Sequence, residues 1–421
     1  MVRAFAVLAV GLSWAAAAGA QVETAYRTAC HLPVSALSVA PTDAQLRLAV
    51  PDCDPAAEGA QFVVEYIGFP PGAEAAFQAA LNVWACRVRS DQPIRVRAEW
   101  SPLDSGTLGS AGPFLVRNFG GAPIRDVWYP SALADALAGR DLGDGDPDIE
   151  AFFNSDFRDW HFGPGPPQEG TYDLTTVVLH EIGHGLGLIG NLSVRDGLGV
   201  VGQEPEGPFS YDLHALDAVG APLLDPTRYP DGSARLADAL TEEVGFTGRA
   251  VTQVGSPRVP LYAPPQFIRG GSYSHLDEDA YAEATPDGLM TPFIARGEVV
   301  EQPGTTVCAM LADVGWTLAG DCADRVGALP PVVAGVAIEQ AGLNPFTGRT
   351  AVRLSTSTIA NVRVGLVDAL GRRVADYGTA VVVGGAPTRV EVDGLGLAAG
   401  VYFLTVEGGG VREVLPLTIV R

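Results

Sequence analysis

The sequence predicts an α+β protein that ends in a small all-β sandwich. Two changes of texture carry that expectation. Between residues 58 and 325 helical and strand-like periodicities alternate, whereas from about residue 340 short β-branched runs are separated by glycine turns. At roughly 150 residues per domain, 421 residues are too many for one small domain. With 47% of them hydrophobic, the chain can bury a sizeable core.

Residues 1–20 open with one charge at Arg3, continue as an apolar run and end in Ala18-Gly19-Ala20. This reads as a secretory signal cleaved after Ala20. The run is shorter than the ~20 residues a membrane span needs, and no later stretch is long and apolar enough to span. Residues 21–57 are punctuated by Pro and Asp and form an N-terminal segment, a candidate pro-segment. In the folded domain over 58–325, Phe77, Leu81, Trp84 and Val88 recur at helical spacing. PIRVRAEW (93–100) alternates as a strand, and DIEAFFNS (148–155) is a second strand candidate. Asp173 stands where an N-cap belongs, ahead of the helix LTTVVLHEIGHGL (174–186). A Gly/Pro-rich stretch follows over about 190–272, and TTVCAMLADVGW (305–316) reads as another helix. Residues 326–339 are linker-like around Pro330 and Pro331. The runs TAVRLSTS, NVRVGLVDAL, TRVEVDGL, GVYFLTVEGG and REVLPLTIV then describe the sandwich over 340–421.

A formal charge of −22 argues against nucleic acid or an anionic membrane as a partner. Five cysteines in an exported chain point to disulfides with one thiol left over. Cys308 and Cys322 are the expected pair, whereas Cys30, Cys53 and Cys86 cannot be assigned from spacing. Cys30 or Cys53 could alternatively serve latency, as a thiolate on a metal. The aspartates of DLGDGDPD (141–148) suit either Ca2+ or a solvated turn.

The motif that carries chemistry is His180-Glu181-Ile182-Gly183-His184. Histidines four apart on a helix project from one face within reach of one ion. Glu181, beside them, can reach a water on that ion without ligating it. Zinc lowers the pKa of such a water toward ~7. Glu181 then serves as general base, a role worth roughly 10²–10⁴-fold in rate. Catalytic zinc usually takes three protein ligands. Candidates for the third are His214, His275, Asp196, Glu204 and Glu206.

The run from His180 to Gly187, followed at a distance by Ser274-His275-Leu276-Asp277 and Leu289-Met290-Thr291-Pro292, resembles the metzincin metallopeptidases, and within them the leishmanolysin-like branch. In that branch a long insertion separates the motif glycine from the third histidine, and a methionine turn follows. The resemblance implies a metzincin-like catalytic domain with His180, His184 and His275 as ligands of one Zn2+. It further implies Glu181 as base, Met290 as the floor beneath the metal, and Gly187 as the point where the chain turns away. Such enzymes hold substrate against an edge strand beside the cleft, for which residues 148–155 are the candidate. The C-terminal run, with Asn344-Pro345-Phe346, VDALGRRV and a terminal PLTIVR, resembles the sorting domain of the type IX secretion system. That implies the secretion machinery as a partner and export through the periplasm to the cell surface or the medium.

The expected function is therefore a secreted zinc endopeptidase acting on proteins or peptides. Its rivals are a surface adhesin whose metzincin-like domain binds metal without turnover, and a zinc hydrolase acting on something other than peptides.

Overall fold

A computed structural model describes residues 22–26, 30–38, 53, 59–202, 205–281, 285–329, 336–356, 360–382, 388–408 and 411–420. The secretory signal expected over 1–20 and the linker residues Pro330 and Pro331 lie outside the described residues. The chain is a mixed α+β protein.

An eight-stranded sheet positions the site. Its strands are β1 (Glu23–Tyr26), β2 (Cys30–Ser38), β3 (Phe62–Ile67), β4 (Ile94–Ser101), β5 (Thr107–Arg117), β6 (Tyr129–Pro130), β7 (Ile149–Asn154) and β8 (Ile294–Arg296). The order is β8-β2-β5-β7-β4-β3, and β1 and β6 pair with the far part of β5. β3, β4 and β7 are mutually parallel, while β5 runs antiparallel to β7. In β4 the alternation is plain: Ile94, Val96 and Ala98 are buried, and the charged residues between them are not.

Parallel β3 and β4 need a crossover, which is helix α1 (Ala73–Ala85). Its alanines favour the helix, and Phe77, Leu81 and Trp84 bury one face completely. Helix α2 (Ser131–Ala138) follows β6. Helix α3 (Leu174–Gly185) begins at Asp173, whose carboxylate accepts the Thr176 N–H at 2.8 Å. Leu174, Val177, Val178, Leu179 and Ile182 are fully buried, so α3 is a core helix rather than an amphipathic surface one. Each such side chain contributes about 1.5–3 kcal/mol by leaving water. The Trp84 indole N–H donates to the Leu179 carbonyl at 3.0 Å and pins α1 to α3.

Helix α4 (Thr305–Val314) is bridged by Cys308–Cys322 to α5 (Gly320–Val326), and Cys53–Cys86 ties the N-terminal segment to the end of α1. Two disulfides suit an oxidising compartment. Among the described residues no helix is long and apolar enough to cross a membrane.

Residues 336–420 form two antiparallel sheets, of three and four strands. Between them Val352, Leu354, Val364, Leu366, Leu404, Val406 and Leu417 make a core separate from that around α3. The Asn344-Pro345-Phe346 run is sewn to the last strand. The Asn344 Oδ1 accepts the Thr418 N–H at 2.8 Å, and Phe346 is buried.

One strand expectation needs correcting. Residues 148–155 do form a strand, but β7 is paired on both sides, by β4 and by β5. Neither of its edges is open to a substrate. The strand that flanks α3 is β5, whose glycines and Pro113 hide its period.

Candidate metal centre

The ends of two segments far apart in sequence build the site. Helical spacing puts His180 and His184 on one face of α3. Past the end of the helix the chain turns at Gly187, with φ of 114°, a conformation that L residues rarely adopt. The turn carries the Leu188 carbonyl to the His184 Nδ1–H, at 2.7 Å. The chain then departs and returns at Tyr273-Ser274-His275.

That return is held by buried polar contacts. Ser274 Oγ accepts the Gly190 N–H at 3.1 Å, and the Tyr273 hydroxyl accepts the Leu192 N–H at 2.6 Å. The same hydroxyl donates to Asp212, which in turn accepts the Asn191 N–H. Tyr273 itself has φ of 51°, an uncommon conformation for a bulky residue, next to a site residue.

The three Nε2 atoms of His180, His184 and His275 converge, with separations of 3.0, 3.1 and 3.2 Å. Each ring gives its Nδ1–H to a backbone carbonyl at 2.7 Å: Leu289 for His180, Leu188 for His184, Gly271 for His275. Those bonds fix the tautomer, so three Nε2 lone pairs point at one another. Three acceptors with no proton between them repel, and a cation relieves the repulsion. Burial pushes His180 down to about 3, helped by the neighbouring His275, and pushes His275 down to about 4. Both rings therefore stay neutral, the form that ligates metal. Bonds of ~2.0–2.1 Å at tetrahedral angles require nitrogen separations of about 3.3 Å, close to those observed. The three histidines could hold one metal ion.

Glu181 is completely buried, and neither carboxylate oxygen has a hydrogen bond of ordinary length and angle. Burial raises its pKa well above the ordinary carboxylate value, against a smaller opposing effect of the Ala111 amide. β5 passes directly over it: a Cβ on Gly109 would lie 3.1 Å from Glu181 Cγ and Oε1. Met290 is buried beneath α3, where a Cβ on Gly183 would meet its Sδ at 2.7 Å. Only glycine admits that approach. Beside the His275 loop lies a cavity of about 460 Å³, lined by Leu103, Thr107, Tyr262, Ile268, Gly271 and Phe293.

Other sequence candidates lie elsewhere. His214 gives Nδ1–H to the Thr247 carbonyl at 2.7 Å and stacks on Phe246. Asp196 pairs loosely with Arg195 on the surface, and Glu204 lies outside the described residues. Cys53 is in a disulfide, so it offers no thiolate for latency, and the Cys30 side chain lies outside the described residues. Of the aspartates in 141–148, Asp148 accepts the Arg95 N–H and the Ser131 hydroxyl. Among the described residues they form no group fit for a metal.

No family model matches the chain, and no curated protein matches it. Among solved structures, the crystal structure of an engineered protein is similar at 12% identity, covering 32% of this chain and 33% of that one, with a TM-score of 0.15. So slight a likeness carries no argument about fold or activity.

Sequence reading overlooked Asp212, Tyr273 and Asn191, which close the return loop. Their partners lie 21 to 81 positions away, beyond any local pattern. The one local signal is the Gly190-Asn191 step itself, where a Cβ on Gly190 would overlap the Tyr273 hydroxyl.

Proposed function

We propose that the chain is a zinc-dependent endopeptidase of metzincin-like type, exported from the cell. The observation that carries this reading is the convergence of three backbone-tethered imidazoles beside a buried carboxylate. An all-imidazole donor set suits zinc. Zinc, when bound, supplies Lewis acidity and makes water a stronger nucleophile near neutral pH.

The chain's own groups do the rest. Glu181, buried beside the histidines, takes the proton of the attacking water and passes it to the leaving amine nitrogen. Burial raises its proton affinity, which favours taking up that proton. The Nδ1 tethers hold the imidazoles in one orientation through the cycle. The largely apolar cavity at Thr107 and Phe293 accepts an apolar side chain of the peptide. Residues 336–420, with their own core, serve as the sorting domain for type IX export.

The substitution Glu181→Gln tests the assignment. The amide fills the same space but takes no proton. Metal content by mass spectrometry should stay near one ion per chain, while peptide hydrolysis falls roughly 10²–10⁴-fold. Substantial hydrolysis by that variant would remove Glu181 from the mechanism.

A further inference from the structure

The groove beside Glu181 already contains a strand. Along residues 109–111, β5 is paired by β7 on one side and by β2 on the other. β2 runs antiparallel to β5, with Cys30 opposite Ala111, His31 opposite Ser110 and Leu32 opposite Gly109. Its other edge is taken by β8, which runs parallel to it, Ile294 opposite Val34 and Arg296 opposite Ser38. β2 is thus bonded on both sides, between the strand that crosses the base and a strand beginning four residues after Met290. Gly109 of β5 lies against Glu181, and the Leu32 backbone lies one strand spacing from Gly109, about 5 Å.

From this we infer that residues 30–38 occupy the path of an extended peptide substrate, and that the chain blocks its own site by strand addition. The inference rests on the peptidase reading for what the groove is for, but not for its being filled. Backbone ladder bonds supply the affinity, so any extended segment of suitable shape would compete. The Cys53–Cys86 bridge anchors the segment's far end and keeps its local concentration high, in the millimolar range for a short tether. Pro33, which has no N–H to give, stands opposite Thr107 just past the shift in register between Leu32 and Pro33, a place where a proline is tolerated in a strand. No thiol is needed. Activation consists of cutting the connection between Ser38 and Cys53 and letting the freed segment dissociate.

The test places a site for a sequence-specific protease in residues 41–50 of the full chain. Fluorescent HLPVSALS (residues 31–38) is the binding probe, used in a Glu181→Gln background so that nothing is cut. Zinc-loaded chains with Glu181 intact are assayed on labelled casein. The cut chain, separated from its N-terminal piece, should bind the probe at least tenfold more tightly than the uncut chain. It should hydrolyse casein at least tenfold faster, and free HLPVSALS should inhibit it competitively. Cys30→Ser should leave the uncut chain as inactive as before. Equal binding and equal hydrolysis before and after cutting would overturn the inference and leave the peptidase reading standing. Tight probe binding by the cut form alone, with casein untouched by either, would support the blocked groove and sink the peptidase reading. Failure of both forms to bind the probe would overturn the inference. The unmodified chain gives a check that needs no cut. Residues 30–38 should resist hydrogen exchange and lose that protection in excess HLPVSALS; free exchange from the outset would contradict the proposal.

Discussion

Three imidazoles do the same thing with the same two atoms: Nδ1–H to a carbonyl, Nε2 to a shared point. Losing one should therefore differ sharply from losing a histidine elsewhere. His275→Ala should reduce metal affinity by more than the roughly 10–100-fold that an outer hydrogen-bond partner is worth. His214→Ala removes a bond to Thr247, a stacking contact on Phe246 and the interaction with Asp313, none of them at the site, and should leave metal content nearly unchanged. Metal content after dialysis against a weak chelator separates the two, and the reverse result would reassign the third ligand. Asp135, in α2, offers a different residue-scale test. Burial raises its pKa to about 7, with Asp148 and Asp141 adding to the effect and the Leu142 N–H opposing it. A carboxyl raised above its unfolded value near 3.9 binds its proton more tightly when folded. Its contribution is complete below pH 4 and is lost as the pH rises to about 7. Asp135→Asn keeps an acceptor for Leu142 but does not titrate. Its advantage over the parent in denaturant melts should grow from pH 4 to 7 and then level off. A pH-independent difference would place the charge of Asp135 outside the stability balance.

At the scale of elements, α3 was legible because its signals are local: Asp173 as cap, histidines at i and i+4, glycine at the stop. The helix α1, the strand β4 and the pair Cys308–Cys322 were legible for the same reason. β5 was not, since Gly109, Gly112 and Pro113 interrupt its alternation, and β7 was misjudged because being at an edge is a property of the whole sheet. The return of His275 could be named only through a family resemblance. Its physical cause, the Asp212–Tyr273–Leu192 clamp, joins residues that no periodicity links. Two substitutions probe these elements. Gly187→Ala forces an L residue to φ of 114° and brings a Cβ to 2.8 Å from Pro130 Cγ, so it should cost about 1–3 kcal/mol in chemical unfolding. Replacing Cys308 and Cys322 by serine opens a loop of sequence separation 14 and should cost about 3 kcal/mol. Little or no loss in either case would mean that the α3 turn or the α4–α5 bridge is not under the constraint described.

For the whole molecule, the two cores predict separable roles. The three histidines of the site and Glu181 all lie before residue 336, outside the core of the sandwich. A chain truncated after Arg325 should hydrolyse peptides at close to the full-length rate once its N-terminal segment is cut. In its native host the same chain should accumulate in the periplasm, whereas normal export would make the sandwich an ordinary spacer. On the proposed function, the three histidines hold a zinc ion that the peptidase reaction requires. Casein hydrolysis by the full chain, freed of residues 30–38, tests it most directly when measured before chelation, after chelation, and after zinc is returned. Activity should be lost with the metal and recovered at one zinc per chain; hydrolysis that persists unchanged in the metal-free protein would remove zinc from the reaction.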